Sequence, residues 1–301
     1  MPASNKKVLF ILSTNYAGSH YLSLLVGSHS RATHIGEIHR FRNEQIHKEP
    51  CFACGDYRKC PVFRGIEPGR IHDIHETVFR NLGPEIDLLV DNSKKSSWAA
   101  NFIGHAAFES RLIHLIRDPR ALIRRWDMGY DTSGKRWHQR QKLLRRMPGR
   151  AISILTARPR LLYVYKWLEQ NRRFTDFLRR NRLEHQLMTY RDLATNTAAE
   201  VEGLIKWLGL KFEPGQIEYW NFEHHGTQKS EYEWIKQKKG SYFDTRWKSY
   251  LTGQEQRQII EHPLVQRYLA ELNIRANDEG LTKLAPVAAR ETRKEVVAPV
   301  G

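Results

Sequence analysis

Short, wholly apolar runs alternate with polar tips and helix-like stretches through the N-terminal half of the chain. Val8-Leu-Phe-Ile-Leu12 suits a strand buried on both faces. It is followed by Ser13-Thr-Asn-Tyr-Ala-Gly-Ser-His20 and by a helix opening at Tyr21-Leu-Ser-Leu-Leu-Val26. The pattern returns at Ile86-Asp-Leu-Leu-Val90, which ends in Asp91-Asn-Ser-Lys94 with a helix from about Ser97. It returns again at Leu112-Ile-His-Leu-Ile116, which ends in Arg117-Asp-Pro-Arg120 with a helix from Ala121. Strands alternating with helices predict a parallel sheet, and such sheets place ligands beyond the carboxyl ends of their strands. The polar tips are therefore where chemistry is to be sought.

Further along, Leu161, Leu162, Tyr165, Leu168, Phe174 and Leu178 give residues 151 to 182 a helical period. Leu187-Met-Thr-Tyr190 reads as a short strand, and residues 198 to 208 as a helix closed by Gly209. Residues 221 to 250 read as a long loop rich in His, Lys and aromatics, and residues 254 to 272 as a last helix that Pro263 interrupts or kinks. Beyond Asn277 the composition loses periodicity, so the expectation is one domain over residues 1 to 276 and a flexible tail from 277 to 301. Residues 40 to 80, which hold all three cysteines, read as an insertion or an acceptor-side loop.

Composition narrows the class. The chain has 301 residues, 40% hydrophobic and 27% charged, which excludes a disulfide-stapled miniprotein, a collagen-like repeat and a wholly disordered chain. Its apolar runs fall short of the roughly 18 to 20 residues that cross a bilayer, and Lys6 and Lys7 are not followed by a signal-peptide pattern; a cytoplasmic protein is the expectation. Cys51, Cys54 and Cys60 lie within ten residues, a clustering that suits reduced thiols or metal ligands rather than a disulfide framework.

A formal net charge of +16 favours anionic partners: nucleic acid, anionic lipid or a small polyanion such as a nucleotide. The excess is concentrated, with 12 Lys/Arg against 3 Asp/Glu between Arg111 and Arg150. Helix-turn-helix, zinc-finger and RNA-binding signatures are absent from the sequence, which turns the expectation away from nucleic acid. The basic helix after Pro159 reads as a solvated face, with contact to an anionic surface as the alternative.

The first turn carries the leading chemistry. A small-residue loop entering a helix N-terminus can cradle a phosphate with backbone N–H groups. The strict ATPase signature is missing, because Gly18-Ser19 is followed by His20, and this disfavours ordinary ATP or GTP hydrolysis. Arg117, at the tip of a later strand, offers a guanidinium suited to bidentate phosphate binding.

Leu12-Ser-Thr-Asn-Tyr-Ala-Gly-Ser-His-Tyr-Leu22, Val90-Asp-Asn-Ser-Lys94, His114-Leu-Ile-Arg-Asp-Pro-Arg-Ala121, and Tyr190-Arg-Asp-Leu193 with Trp207-Leu-Gly-Leu210 together resemble the sulfotransferase family, bacterial members above all. The resemblance implies a P-loop NTPase-like three-layer α/β/α fold with a central parallel sheet and a C-terminal helical part. It also implies transfer of a sulfuryl group from 3'-phosphoadenosine-5'-phosphosulfate to an acceptor hydroxyl on a carbohydrate, a lipid or a small molecule, with no obligatory metal. On this resemblance Tyr16, Ala17, Gly18, Ser19, His20 and Tyr21 would bind the 5'-phosphosulfate, and Arg117 the 3'-phosphate. Lys238, Lys239 and Gly240 would belong to a late basic loop closing over the nucleotide.

Two positions depart from the family pattern. Many members carry Lys or Arg where Tyr16 stands, so another cation has to neutralise the leaving phosphate, and Lys94 is the candidate. Arg125 stands where many members carry a Ser that contacts the 3'-phosphate. For the base that takes the acceptor proton, Glu37 is first choice, His39 second and His20 third. The three cysteines read first as reduced structural thiols, with a zinc site completed by His47 as the second reading and redox chemistry as the third. A P-loop nucleotide kinase and a catalytically impaired nucleotide-binding scaffold are the rival readings, Tyr16 being the best support for the second. Residues 40 to 80 and 127 to 160 are expected to build the acceptor pocket.

Overall fold

The structure is a computed structural model that describes residues 5–42, 51–226, 229–238, 240 and 243–284. Its centre is a five-stranded parallel sheet in the order β2-β3-β1-β4-β5, formed by β1 (Lys7–Ser13), β2 (Ala32–His34), β3 (Leu88–Lys94), β4 (Glu109–Ile116) and β5 (His185–Thr189). β1 is central because its side chains are apolar on both faces. Leu9 and Ile11 join one core with α1 (Ser19–Gly27), while Val8, Phe10 and Leu12 join another on the opposite face. Burying two faces at once is what a run without polar interruptions permits.

Helices cover both faces, as the three-layer expectation requires. Val201, Leu204 and Ile205 of α9 (Thr197–Trp207) share the first core with α1, while α2 (Ile74–Leu82) and Phe174 and Leu178 of α7 (Pro159–Arg180) share the second. A third core lies beyond the sheet, where Trp126 of α4 (Pro119–Gly129) meets Tyr163 and Trp167 of α7. Trp247 of α11 (Trp247–Tyr250), Ile259 of α12 (Gly253–Ile260) and Tyr268 of α13 (Pro263–Glu271) complete it.

Several elements differ from the sequence expectation, each for a local reason. β3 runs on through Asp91-Asn-Ser-Lys94, because the buried Asp91 carboxylate accepts from His75 Nε2 (3.0 Å), Trp98 Nε1 (2.7 Å) and the backbone N–H of Ser93 (2.8 Å). The helix from Ser97 is a single turn, α3 (Ser96–Ala99). α5 (Ser133–Arg146) has no counterpart in the apolar pattern, since only Leu143 of its residues is buried. The stretch 151 to 182 divides into α6 (Ala151–Thr156) and α7, because Pro159 opens the second helix and holds Arg158 extended. Pro263 likewise begins α13, where the His262 side chain accepts the N–H of Leu264.

The segment 221 to 250 is not one loop. It carries α10 (Lys229–Lys236) as well as α11. The boundary drawn at residue 276 falls inside a hairpin: β6 (Ile274–Asn277) pairs antiparallel with β7 (Gly280–Lys283). Asp192 of α8 (Tyr190–Thr195) fastens that hairpin, accepting from Thr282 Oγ1 (2.6 Å) and the N–H of Lys283 (2.9 Å).

Candidate active site

The turn between β1 and α1 lies at the carboxyl edge of the sheet. Gly18 takes φ +100°, and a Cβ built there would come within 2.6 Å of the Tyr190 ring, so only glycine fits against that aromatic wall. Tyr16 also has positive φ (69°) and is 54% exposed. No side chain caps the first N–H groups of α1, and the buried hydroxyls of Ser13, Thr14 and Ser19 have no hydrogen-bond partner among the described residues. Uncapped helix N–H groups beside unpartnered hydroxyls are a ready anion cradle.

Lys94 reaches this turn from the tip of β3. The β1–β3 register slips there, Phe10 pairing with Asp91 but Leu12 with Lys94, and Lys94 adopts φ 65°. Its ammonium contacts the Glu37 carboxylate and lies 2.8 Å from His20 Nε2, while Glu37 Oε1 lies 3.5 Å from the same ring nitrogen. Asn92 flanks His20 at Nδ1, 3.2 Å away. The three residues expected to act as base and leaving-group cation thus form one cluster.

The electrostatics assign that cluster a resting state. Burial raises the Glu37 pKa, but the hydrogen bond to His20 and the charge and hydrogen bond of Lys94 outweigh it and hold the carboxyl at about 2. His39 is pushed down to about 4, chiefly by burial and then by the charge of Lys95. With Lys94 in place, neither group has the proton affinity of an effective base at neutral pH.

Arg117 occupies a different setting. It donates from Nη1 to the Tyr16 carbonyl (2.6 Å) and from Nη2 to Asp244 Oδ2 (2.9 Å), and its guanidinium lies 4.1 Å from the centre of the Tyr190 ring. Burial raises the Asp244 pKa, but the hydrogen bond from Arg246 and the charge of Arg117 hold it well below the usual carboxylate range. Arg117 therefore braces the first turn from beneath. Arg125 is exposed and stacks over Tyr16, 5.1 Å from the ring centre. Lys238 follows α10 with φ 45°, Gly240 comes just after it, and Lys239 lies outside the described residues.

A cleft of about 450 Å³ opens beside the first turn. Thr14, Glu37, His39 and Lys94 form one wall, and Tyr130, Lys142, Arg146, Lys166 and Arg173 the facing side. Of the two segments expected to build it, 127 to 160 contributes and the described part of 40 to 80 lines none of it. Lys166 is boxed by Trp126 (4.6 Å to the ring centre) and Tyr130 (4.0 Å), with the Tyr130 hydroxyl 2.8 Å from Nζ. Burial, then the charge of Lys142, lowers its pKa to about 7. A groove of about 660 Å³ bordered by His29, Lys211 and Glu213 lies at the amino edge of the sheet, the wrong edge for ligand binding in a parallel fold.

The structure places Glu37, Lys94 and His20 side by side, whereas Asn92, Asp244, Lys166 and the packing of Tyr190 against Gly18 and Arg117 have no counterpart in the sequence expectations. His47 lies outside the described residues; among the described residues, His225 meets Cys51, Cys54 and Cys60.

Solved structures similar to this chain include two sulfotransferase domains. The sulfotransferase domain from the curacin biosynthetic pathway superposes with a TM-score of 0.50 at 17% identity, over 86% of this chain and 97% of that one. The sulfotransferase domain from the Synechococcus PCC 7002 olefin synthase does so with a TM-score of 0.52 at 16% identity, over 85% and 94%. No protein-family model and no curated protein sequence matches the chain. The chain has the fold of the sulfotransferases, an α/β fold of P-loop-like type.

Proposed function

We propose that the chain is a sulfotransferase that moves a sulfuryl group from 3'-phosphoadenosine-5'-phosphosulfate to a hydroxyl of a negatively charged acceptor. The observation that carries this reading is the Lys94–His20–Glu37 cluster beside an anion cradle in a sulfotransferase fold. The cradle hydroxyls of Ser13, Thr14 and Ser19 suit the oxygens of the phosphosulfate. Arg125 is first choice for the 3'-phosphate, because Arg117 would have to release Asp244 to reach it.

In the transfer, the acceptor oxygen forms a new bond to sulfur as the bond from sulfur to the bridging oxygen breaks, and the bonding pair leaves with the phosphate. Lys94 turns from Glu37 to that bridging oxygen and neutralises the charge gathering there. Its departure removes a main cause of the low Glu37 pKa, and burial then raises the carboxyl's proton affinity. Glu37 becomes a competent base only when the donor is in place, and it accepts the acceptor's proton. Six Lys and Arg line the cleft against Glu37 and Glu169, and Arg146 and Arg173 already pair with Glu169. That balance supports an acceptor bearing carboxylate, phosphate or sulfate groups.

Incubation with sulfur-labelled donor and a panel of neutral and anionic hydroxyl compounds tests the reading. Label should pass preferentially to anionic acceptors, without added metal. Phosphoryl transfer from ATP with no sulfuryl transfer would replace it with the kinase reading.

A further inference from the structure

We infer that Cys51, Cys54, Cys60 and His225 form a structural zinc site that clips the segment after residue 50 to the chain just before α10. The inference does not depend on the proposed reaction. The three sulfurs and one ring nitrogen lie within 4.8 Å of one another. His225 Nδ1 stands 3.2 Å from the Cys54 sulfur, 3.3 Å from that of Cys60 and 3.8 Å from that of Cys51. A tetrahedral zinc with Zn–S of about 2.3 Å and Zn–N of about 2.1 Å separates sulfur and nitrogen ligands by about 3.6 Å. The observed separations bracket that value, although the residues are as much as 174 positions apart in sequence.

The surroundings match a metal site in two further respects. Nε2 of His225, the nitrogen turned away from the sulfurs, lies 3.2 Å from Glu223 Oε1. A carboxylate there fixes the tautomer that leaves Nδ1 bare for the metal. Cys51, Cys60 and His225 are buried and Cys54 is exposed, so the cluster has one open side for metal entry. The Phe52 N–H also donates to the Gly226 carbonyl (2.9 Å), so the clip spans two segments already in register.

The test is metal analysis of the full chain, produced with zinc supplied and purified without chelator. One zinc per chain is expected in the wild type. Cys54→Ala, which opens no core, should lose it, and Glu223→Gln should weaken zinc affinity by about 10- to 100-fold while keeping the site. Chelator should lower the wild-type Tm by about 5–10 °C, and added Zn²⁺ should restore it. Wild-type protein stripped and reloaded with Co²⁺ should show a thiolate-to-cobalt charge-transfer band together with tetrahedral ligand-field bands. A folded wild type that takes up neither ion, with three titratable thiols or with a disulfide found by intact mass, would overturn the inference.

Discussion

Arg117 and Asp244, 127 residues apart in sequence, meet through a 2.9 Å hydrogen bond from Nη2 to Oδ2, both side chains almost fully buried. Through Nη1 the same guanidinium holds the Tyr16 carbonyl of the first turn, so the late segment containing Asp244 stabilises the turn from a distance. Removing one partner leaves a buried charge unpaired. Asp244→Ala should cost about 3–5 kcal/mol in a denaturant titration, and Arg117→Met with Asp244→Ala should cost less than the two single changes summed. Additive losses would mean that the pair does not act as a unit.

Lys94 is assigned the charge that Tyr16 cannot supply. Lys94→Met should lower kcat by about 10²- to 10³-fold with little change in donor affinity. Tyr16 is 54% exposed, so Tyr16→Lys in the Lys94→Met background has room to restore part of the rate. Unchanged turnover in Lys94→Met, measured with any acceptor found, would remove this role.

Glu37 titrates well below its usual range, which ties stability to pH with a definite sign. A folded pKa of about 2 against 4.5 stabilises the fold above pH 4.5, and the contribution fades as pH falls towards 2. Its full size is about 3 kcal/mol. The stability gap between wild type and Glu37→Gln should therefore be widest above pH 4.5 and close on acidification, as followed by denaturant titration across that range.

Lys166 loses its charge as pH rises through about 7. An anionic acceptor that relies on this ammonium should show a rising KM across that window, with kcat less affected. Lys166→Met should give a high KM at every pH and flatten the profile. A wild-type KM independent of pH would separate Lys166 from acceptor binding.

Much of this arrangement could be read from the chain before its structure. β1, β4 and the first turn were visible because an unbroken apolar run has few other uses than a strand buried on both faces. The polar end of β3 was hidden, since its strand character depends on His75 and Trp98 satisfying Asp91 from elsewhere. α5 was hidden because a helix with a single buried residue leaves almost no apolar period. In the site, His20, Glu37 and Lys94 sat at the ends of recognisable elements, whereas Asp244 and His225 reach their partners only through tertiary folding. A sequence pattern reports local periodicity, and such long-range pairs leave no period behind.

The turn after β1, with Arg125 beside it, is proposed as a donor site for a nucleotide phosphorylated at both the 3' and 5' positions. Isothermal titration calorimetry with adenosine 3',5'-bisphosphate and with ADP, each with and without Mg²⁺, tests it most directly in the wild type and in Arg125→Ala. Metal-independent binding that favours the bisphosphate is expected, with about a tenfold or greater loss of that preference in the variant. Equal binding of the two nucleotides, or binding of ADP that requires Mg²⁺, would contradict it.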